Sequence, residues 1–116
     1  MKRTQKLYLN DILEAIEKIE KYTKGLNFED FSKNTMITDA VVRNFEIIGE
    51  AAKQIPPEIK KKQDQIPWKE MAGMRDKLSH DYSGVNIEIL WKTAKKRVPT
   101  LKHLIAELLR TADEIE

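Results

Sequence analysis

The sequence predicts an all-α fold, an antiparallel bundle of four to five helices that forms a single domain over residues 1–116. Three observations lead to this prediction. Apolar residues recur every three or four positions along most of the chain. Proline, glycine or asparagine stands between the periodic stretches, where helices are expected to begin or end. No stretch shows the strict apolar–polar alternation that is typical of a half-buried strand.

The first helix is predicted over about residues 4–24. Its apolar positions follow the helical spacing and include Tyr8, Ile12, Ala15, Ile16, Ile19 and Tyr22. Gly25 follows where a helix is expected to stop, because glycine readily adopts the left-handed backbone conformation found there. The segment Leu26–Lys33 is predicted to be a short turn that buries the rings of Phe28 and Phe31.

The second helix is predicted over about residues 36–55. Gly49 lies inside it, where glycine costs about 1 kcal/mol relative to alanine, and a close-packed neighbour is the usual reason for that cost. Pro56 and Pro57 are expected to end the helix. The lysine-rich stretch 57–66 is predicted to be a solvated loop or a short helix.

Two further helices complete the prediction. Pro67 suits the first position of the third helix. That helix is expected to end near Tyr82, because Ser83-Gly84 is a turn signal. Asn86 can cap the last helix, and Pro99 is expected to kink that helix or divide it in two.

Composition restricts the possible functions. The net charge is only +2, from 21 basic and 19 acidic residues. This balance disfavours a tight non-specific nucleic-acid binder but allows an enzyme that handles RNA briefly. With no cysteine and only two histidines, His80 and His103, we expect no metal and no cofactor. No signal peptide or membrane span is evident, so we expect a cytoplasmic protein.

The segment 75–82, RDKLSHDY, concentrates residues that can carry chemistry. Arg75 offers a fixed positive charge shaped to bind a phosphate. His80 titrates near neutral pH and can move protons. Cleavage of an RNA phosphodiester needs a base for the 2′-hydroxyl proton, an acid for the leaving 5′-oxygen, and a cation that stabilises the added charge. Asp76, Ser79 and Tyr82 are polar neighbours that could support such a site.

Helical geometry limits how these residues can meet. Arg75 and His80 are five positions apart, about 140° around an ideal helix, so they do not share a face. Asp76 and His80 are four apart, which allows Asp76 to orient the His80 ring. Arg75 and Tyr82 are seven positions apart, so they lie on the same face of an ideal helix, away from His80. Convergence on one phosphate therefore needs a helix irregularity, the long reach of arginine, or a second subunit. Spacing alone favours a simpler interpretation, in which the segment is the polar face of a helix that carries an Asp–His pair.

The segment resembles the Arg-x4-His-x-Tyr motif of HepT-like proteins in the HEPN superfamily. The resemblance covers most of the chain. YLNDILEAIEKIEKYTKG is similar to the first helix of the family, FEIIGEAAKQIP to the second, IPWKEMAGMRDKLSHDY to the third, and ILWKTAKKRVPTLKHLI to the last. The elements Gly49-Glu50-Ala51, Pro67-Trp68 and Pro99 occur in the order expected for the family.

This resemblance implies a HEPN helical bundle that forms a homodimer, with two motifs facing a shared cleft. It also implies a metal-independent ribonuclease toxin, neutralised by a cognate minimal nucleotidyltransferase antitoxin. His80 would then be the general base or acid, Arg75 the residue that stabilises phosphate charge, and Asp76 the orienting residue. Tyr82 would be a cleft residue that receives AMP from the partner. Asp76 departs from the asparagine of many members, and an aspartate there is expected to lower RNA affinity.

Two features beside the motif have two interpretations each. Glu50 is either a supporting residue on the Arg75 side of the cleft or a solvent-facing residue beside a packing glycine. A basic cluster is either a phosphate-facing rim or a solvated face, and it consists of Lys92, Lys95, Lys96 and Arg97. Trp68 and Trp91 are predicted to be core or interface residues rather than platforms for stacking bases.

Two other functional classes remain open from the sequence. The first is a non-catalytic HEPN binding or dimerisation module that supports a nucleotidyltransferase. The second is a helical dimerisation protein with a vestigial motif. A neighbouring nucleotidyltransferase gene would disfavour only the second. RNA cleavage by the purified protein would separate the ribonuclease from both.

Overall fold

The computed structural model describes residues 1–79 and 86–115, without the side chains at positions 75, 78, 79 and 113–115. Regular structure in these residues is entirely helical, so the all-α prediction is confirmed. In chain order the elements are α1 (Arg3–Thr23), α2 (Phe28–Lys33), α3 (Thr35–Lys53), α4 (Pro57–Lys62), α5 (Trp68–Ser79), α6 (Ile87–Lys92), a π-helical segment (Thr93–Arg97) and α7 (Val98–Ile115).

The core forms where the apolar stripes of the long helices meet. Helix α1 packs against α3 and α7, and α5 packs against α3. The largest fully buried side chains come from every long helix and include Leu9, Ile12, Ile16, Ile19, Phe45, Ile48, Met71, Leu90 and Ile105. Each such side chain contributes about 1.5–3 kcal/mol by leaving water. The spacing that predicted the helices is therefore also the spacing that builds the core.

The link between α1 and α3 is partly different from the prediction. Gly25 has φ 76°, the left-handed conformation expected of a residue that ends a helix. The following segment is the short helix α2 rather than a turn, because the Asn27 side chain accepts a hydrogen bond from the Asp30 backbone N–H at 2.8 Å. Phe31 is fully buried, but Phe28 remains 41% exposed, so only one of the two rings enters the core.

The segment before α5 contains the short helix α4, one of the two predicted alternatives. Helix α5 begins at Trp68, and the Met71 N–H donates to the Pro67 carbonyl at 2.9 Å. Pro67 therefore lies just before the helix rather than at its first position. Helix α5 is regular through Ser79. Its predicted end near Tyr82 lies outside the described residues.

The last helix begins as predicted and is divided as predicted. The Asn86 side chain accepts from the Ile89 N–H at 3.1 Å, which caps α6. The interruption is the π-helical segment just before Pro99, where the Val98 N–H donates to the Thr93 carbonyl five residues back. Pro99 has no N–H to donate, and its ring crowds the carbonyl one turn earlier, so a widened turn accommodates it.

Candidate functional site

The predicted motif begins on α5. The backbone of Arg75 lies in the second half of this helix, and Ser79 is its last residue. Asp76 is exposed to solvent. His80 and Tyr82 lie outside the described residues, as do the side chains of Arg75 and Ser79. The structure thus places Arg75, Asp76 and Ser79 on one anchored helix, and their convergence with His80 stays a prediction.

Helix α5 is anchored on its buried side. Trp68, Met71 and Met74 are buried, which follows from their spacing of three residues. The Trp68 indole N–H also donates to the Gln63 carbonyl at 3.0 Å, so the polar atom of this buried ring is satisfied. These contacts fix the start of α5 against the segment that precedes it.

A second anchor ties α5 to the last helix. The Arg97 guanidinium in the π-helical segment donates through Nε to Glu70 Oε1 at 3.0 Å, and through Nη2 to the other carboxylate oxygen. Two parallel bonds of this kind restrict orientation as well as distance. The motif-bearing helix is therefore held by α3 on one side and by the π-helical segment on another.

Glu50 lies on the surface of α3. It is exposed, and it lines a groove between α1 and α3 together with Tyr8, Asp11 and Arg43. This exposure agrees with the solvent-facing interpretation of Glu50. Its support of the Arg75 side of a cleft stays a prediction.

Three of the four residues in the basic cluster contact partners within the chain. Lys92 Nζ lies 3.4 Å from a Glu88 carboxylate oxygen, and Arg97 binds Glu70. Lys95 donates to the Thr23 carbonyl at the end of α1, at 2.9 Å. These partners favour a structural role for the cluster over a phosphate-facing rim.

Both tryptophans have packing roles, in agreement with the prediction. Trp68 is only 6% exposed. Trp91 is half-buried, with its ring centroid 5.0 Å from that of Phe31 and 6.3 Å from that of Phe28. The Lys95 ammonium lies 5.0 Å from the Trp91 ring centroid. The Trp91 ring is thus engaged by α2 and Lys95 and is a poor platform for an incoming base.

A cavity of about 190 Å³ lies where α3, α5 and α6 meet. It is lined by Phe45, Glu70, Gly73, Met74, Lys77, Ile89, Leu90 and Thr93. This cavity was not predicted from the sequence. The available signal was Gly73, a glycine inside a helix that offers no turn or chain end to explain it.

Neither a metal cluster nor a membrane helix is found in the described part of the chain. No three histidine or acidic side chains among residues 1–79 and 86–115 are placed to hold a metal ion. None of the helices described there combines the length and apolar character required to cross a bilayer.

Comparison with known proteins identifies close relatives. A probable ribonuclease HepT from Thermococcus cleftensis is 54% identical over 102 residues, which is 88% of this chain and 93% of that protein. A candidate RNase from Caldanaerobacter subterraneus subsp. tengcongensis is 47% identical over 108 residues, covering 93% and 96% of the two chains. Another candidate RNase, from Methanocaldococcus jannaschii, is 46% identical over 109 residues, with 94% and 90% covered. No solved structure gives a significant match to the chain.

The family model for "Ribonuclease HepT-like" matches residues 12–108. The match includes the segment 75–82 and runs from α1 into α7. The resemblance noted in the sequence is thereby confirmed, and its helical fold agrees with the structure. The chain belongs to the HepT-like ribonuclease family of the HEPN superfamily.

Proposed function

We propose that this chain is a metal-independent RNA endonuclease toxin that works as a homodimer and is neutralised by a cognate nucleotidyltransferase in the cytoplasm. The observation that carries the proposal is the family match over residues 12–108, which contains the complete Arg75–Tyr82 segment. The names of the close relatives, which assign them RNase functions, support the same activity.

The chemistry requires only groups that the motif supplies. His80 would take the 2′-hydroxyl proton or protonate the leaving 5′-oxygen. Arg75 would stabilise the charge that develops on the phosphorane. Asp76 would orient the His80 ring, being one helical turn away. Because the attacking hydroxyl belongs to the RNA itself, no metal-bound water is needed.

Helix α5 favours a cleft built from two subunits. Its described backbone is regular α-helix through Ser79. No irregularity in that stretch therefore reduces the angle by which successive residues are separated around the helix axis. On a regular helix, positions five apart diverge by about 140°. A partner subunit can bring its His80 toward the Arg75 of the first. Sedimentation should then show a mass near twice 13.5 kDa, and a monomer at assay concentrations would contradict the shared cleft.

The decisive experiment incubates the purified protein with total RNA in excess EDTA. We expect cleavage by the wild type, and a loss of at least about a hundredfold in both His80→Ala and Arg75→Ala. Lys69→Ala is the matched control, because Lys69 is exposed on the same helix before the motif. Cleavage that disappears in EDTA, or that survives in His80→Ala, would contradict the proposed mechanism.

Tyr82 is proposed as the control point. With a reference pKa of about 10, a tyrosine hydroxyl is a poor proton shuttle at neutral pH. Transfer of AMP from ATP to this hydroxyl, with release of pyrophosphate, would place a phosphate where Arg75 could bind it in competition with RNA. Co-expression with the nucleotidyltransferase should give an AMP-sized adduct on Tyr82 and loss of toxicity. Neutralisation of Tyr82→Phe without any adduct would show that the partner acts by binding alone.

A non-catalytic module that supports the nucleotidyltransferase is the second candidate. The observation in its favour is Asp76, whose exposed carboxylate adds negative charge one residue after Arg75. Such a protein would form the same dimer but leave RNA intact. The cleavage assay therefore separates the two candidates directly.

A further inference from the structure

The cavity between α3, α5 and α6 lies on the same helix as the motif, and its volume is about 190 Å³. Gly73 forms part of its wall, two residues before Arg75. Ile89 of α6 also lines the cavity and remains 48% exposed. An apolar side chain this exposed at the mouth of a cavity is a natural contact for a ligand.

The fold itself does not require glycine at position 73. The only described glycine with positive φ is Gly25, so the backbone at Gly73 is open to any residue. A Cβ added at Gly73 would meet no described atom beyond the neighbouring backbone of its own helix within 4 Å. Glycine also weakens a helix interior relative to alanine. What glycine provides at this position is space, because Gly73 itself lines the cavity and carries no side chain that could occupy it.

The size and the walls of the cavity suit one planar ring. A buried apolar cavity of roughly 150 Å³ is large enough to bind benzene. The cavity beside Gly73 is slightly larger, and Met74, Ile89 and Leu90 give it apolar walls. A six-membered ring with small polar substituents matches that volume better than a two-ring system does.

The polar groups at the cavity suit a nucleotide. Lys77 lies one helical turn after Gly73, is exposed, and makes no ion pair with another described residue. The Thr93 hydroxyl donates to the Ile89 carbonyl at 2.8 Å, which leaves its oxygen able to accept from a ring N–H. The negative charge of Glu70 is offset by Arg97. The site thus combines apolar walls, an acceptor and the exposed cation of Lys77.

We propose that the Gly73 cavity is a subsite for one pyrimidine base of single-stranded RNA, with Lys77 bound to the adjoining phosphate. The inference rests on the proposed ribonuclease function and adds to it a source of sequence preference. A base held in the cavity, with its phosphate on Lys77, would fix the register of the RNA strand along α5, the helix that carries Arg75. Cleavage would then favour sites at a fixed spacing from a uridine or cytidine.

Binding is tested with ligands that cannot be cleaved at an internal bond. In NMR titrations, 5′-UMP should shift the amide signals of Gly73 and Ile89, and 5′-AMP should bind more weakly. Gly73→Leu should weaken 5′-UMP binding roughly tenfold, which is the scale of one lost base contact. Gly73→Ala should have a smaller effect in the same direction. Thermal unfolding distinguishes weaker binding from loss of folding. Gly73→Ala is expected to raise the Tm, so weaker 5′-UMP binding by this variant cannot result from unfolding.

Lys77→Gln should weaken 5′-UMP binding, whereas its matched control Lys69→Gln, an equal charge change on the same helix outside the cavity, should not. Absence of shifts at Gly73 and Ile89, equal binding of 5′-AMP, or unchanged binding by Gly73→Leu would each overturn the subsite. A change of oligomeric mass in Gly73→Leu would assign the cavity to a second copy of the chain and overturn it as well.

Cleavage of hexauridylate and hexaadenylate separates this inference from the proposed function. Wild-type cleavage of both at equal rates, unaltered in Gly73→Leu, would overturn the subsite and leave the ribonuclease intact. If no RNA is cleaved by any variant, the ribonuclease proposal fails, and the mononucleotide titration alone decides whether the cavity binds a base.

Discussion

Arg97 of the π-helical segment is joined to Glu70 of α5 by two hydrogen bonds, one of them 3.0 Å long. The two residues are 27 positions apart, so the pair links two elements that the chain does not connect directly. Helix α5 carries Arg75 and one wall of the Gly73 cavity. The placement of both sites therefore depends on the last helix as well as on the core.

Breaking this pair should increase local opening of α5 but should change the free energy of unfolding only slightly. Both side chains are about half exposed, 51% for Arg97 and 46% for Glu70. A double-mutant cycle of Arg97→Gln and Glu70→Gln should therefore give a coupling of only about 0.2–1 kcal/mol, smaller in high salt. Hydrogen exchange of α5 amides should nevertheless accelerate in Arg97→Gln. Lys92→Gln, which breaks a pair within α6, is the control and should leave α5 exchange unchanged.

Gly25→Ala should destabilise the protein. Its φ of 76° is left-handed, a conformation that costs an L-residue roughly 1–2 kcal/mol. Gly73→Ala should have the opposite sign, a gain of about 1 kcal/mol, because its backbone is not left-handed and its surroundings are open. Urea unfolding of both variants checks the contrast. Equal signs would contradict the assignment of different roles to the two glycines.

Lys95→Met should lower stability without weakening RNA cleavage. The substitution removes the hydrogen bond to Thr23 and the cation from the Trp91 ring, together worth roughly 1–2 kcal/mol. Lys96→Met removes the same charge from a neighbouring exposed position and serves as the control. If Lys95→Met reduces RNA affinity well beyond the control, Lys95 belongs to a phosphate-binding surface after all.

Asp76→Asn should increase RNA affinity several-fold. The Asp76 carboxylate is exposed beside the backbone position of Arg75, and its charge repels an approaching phosphate. The amide is nearly the same size and keeps an oxygen that can accept a hydrogen bond from His80. Filter binding at two salt concentrations measures the effect, which should shrink as salt rises. An unchanged affinity would show that residue 76 does not face the RNA.

The pKa of the Glu107 carboxyl should lie below its ordinary value. The hydrogen bond from Arg110 is the main cause that lowers this pKa below 4.5, while desolvation acts in the opposite direction. Stability from this pair is therefore present above the unfolded pKa and is lost as the pH falls through the folded one. NMR titration should place the midpoint below 4.5, and Arg110→Gln should raise it. Lys102→Gln, an equal charge change on α7, should raise it less.

The long helices could be predicted because their periodic stripes are the core. Residues such as Ile12 and Ile105 are buried for the same reason that they reveal a helix in the sequence. Local capping signals were equally readable at Gly25 and Asn86. Helix α2 was missed because six residues are too few to show a period, and its existence depends on the Asn27 cap.

The site was predicted less completely than the fold. Residue types and spacing identified Arg75 and Asp76, and the structure places them on an anchored, regular helix. The partner of Lys95 could not be predicted, because Thr23 and Lys95 are 72 positions apart and meet only through packing. The cavity at Gly73 could not be predicted for a related reason, since its walls come from α3, α5, α6 and the π-helical segment.

The π-helical segment has a consequence for how the chain tolerates changes in length. It ends with the hydrogen bond from the Val98 N–H to the Thr93 carbonyl, which spans five residues, whereas the bonds of the flanking α-helix span four. The segment therefore contains one extra residue. Removing that extra residue would close the turn to an ordinary α-helical one and leave α7 in phase with α6. Deleting a residue from the regular part of α7 would instead rotate everything downstream by about 100°. Leu101 and Ile105, if they lie downstream of that deletion, would then turn away from α1. A one-residue deletion in the π-helical segment should therefore preserve the packing of α7, whereas the same deletion early in α7 should not.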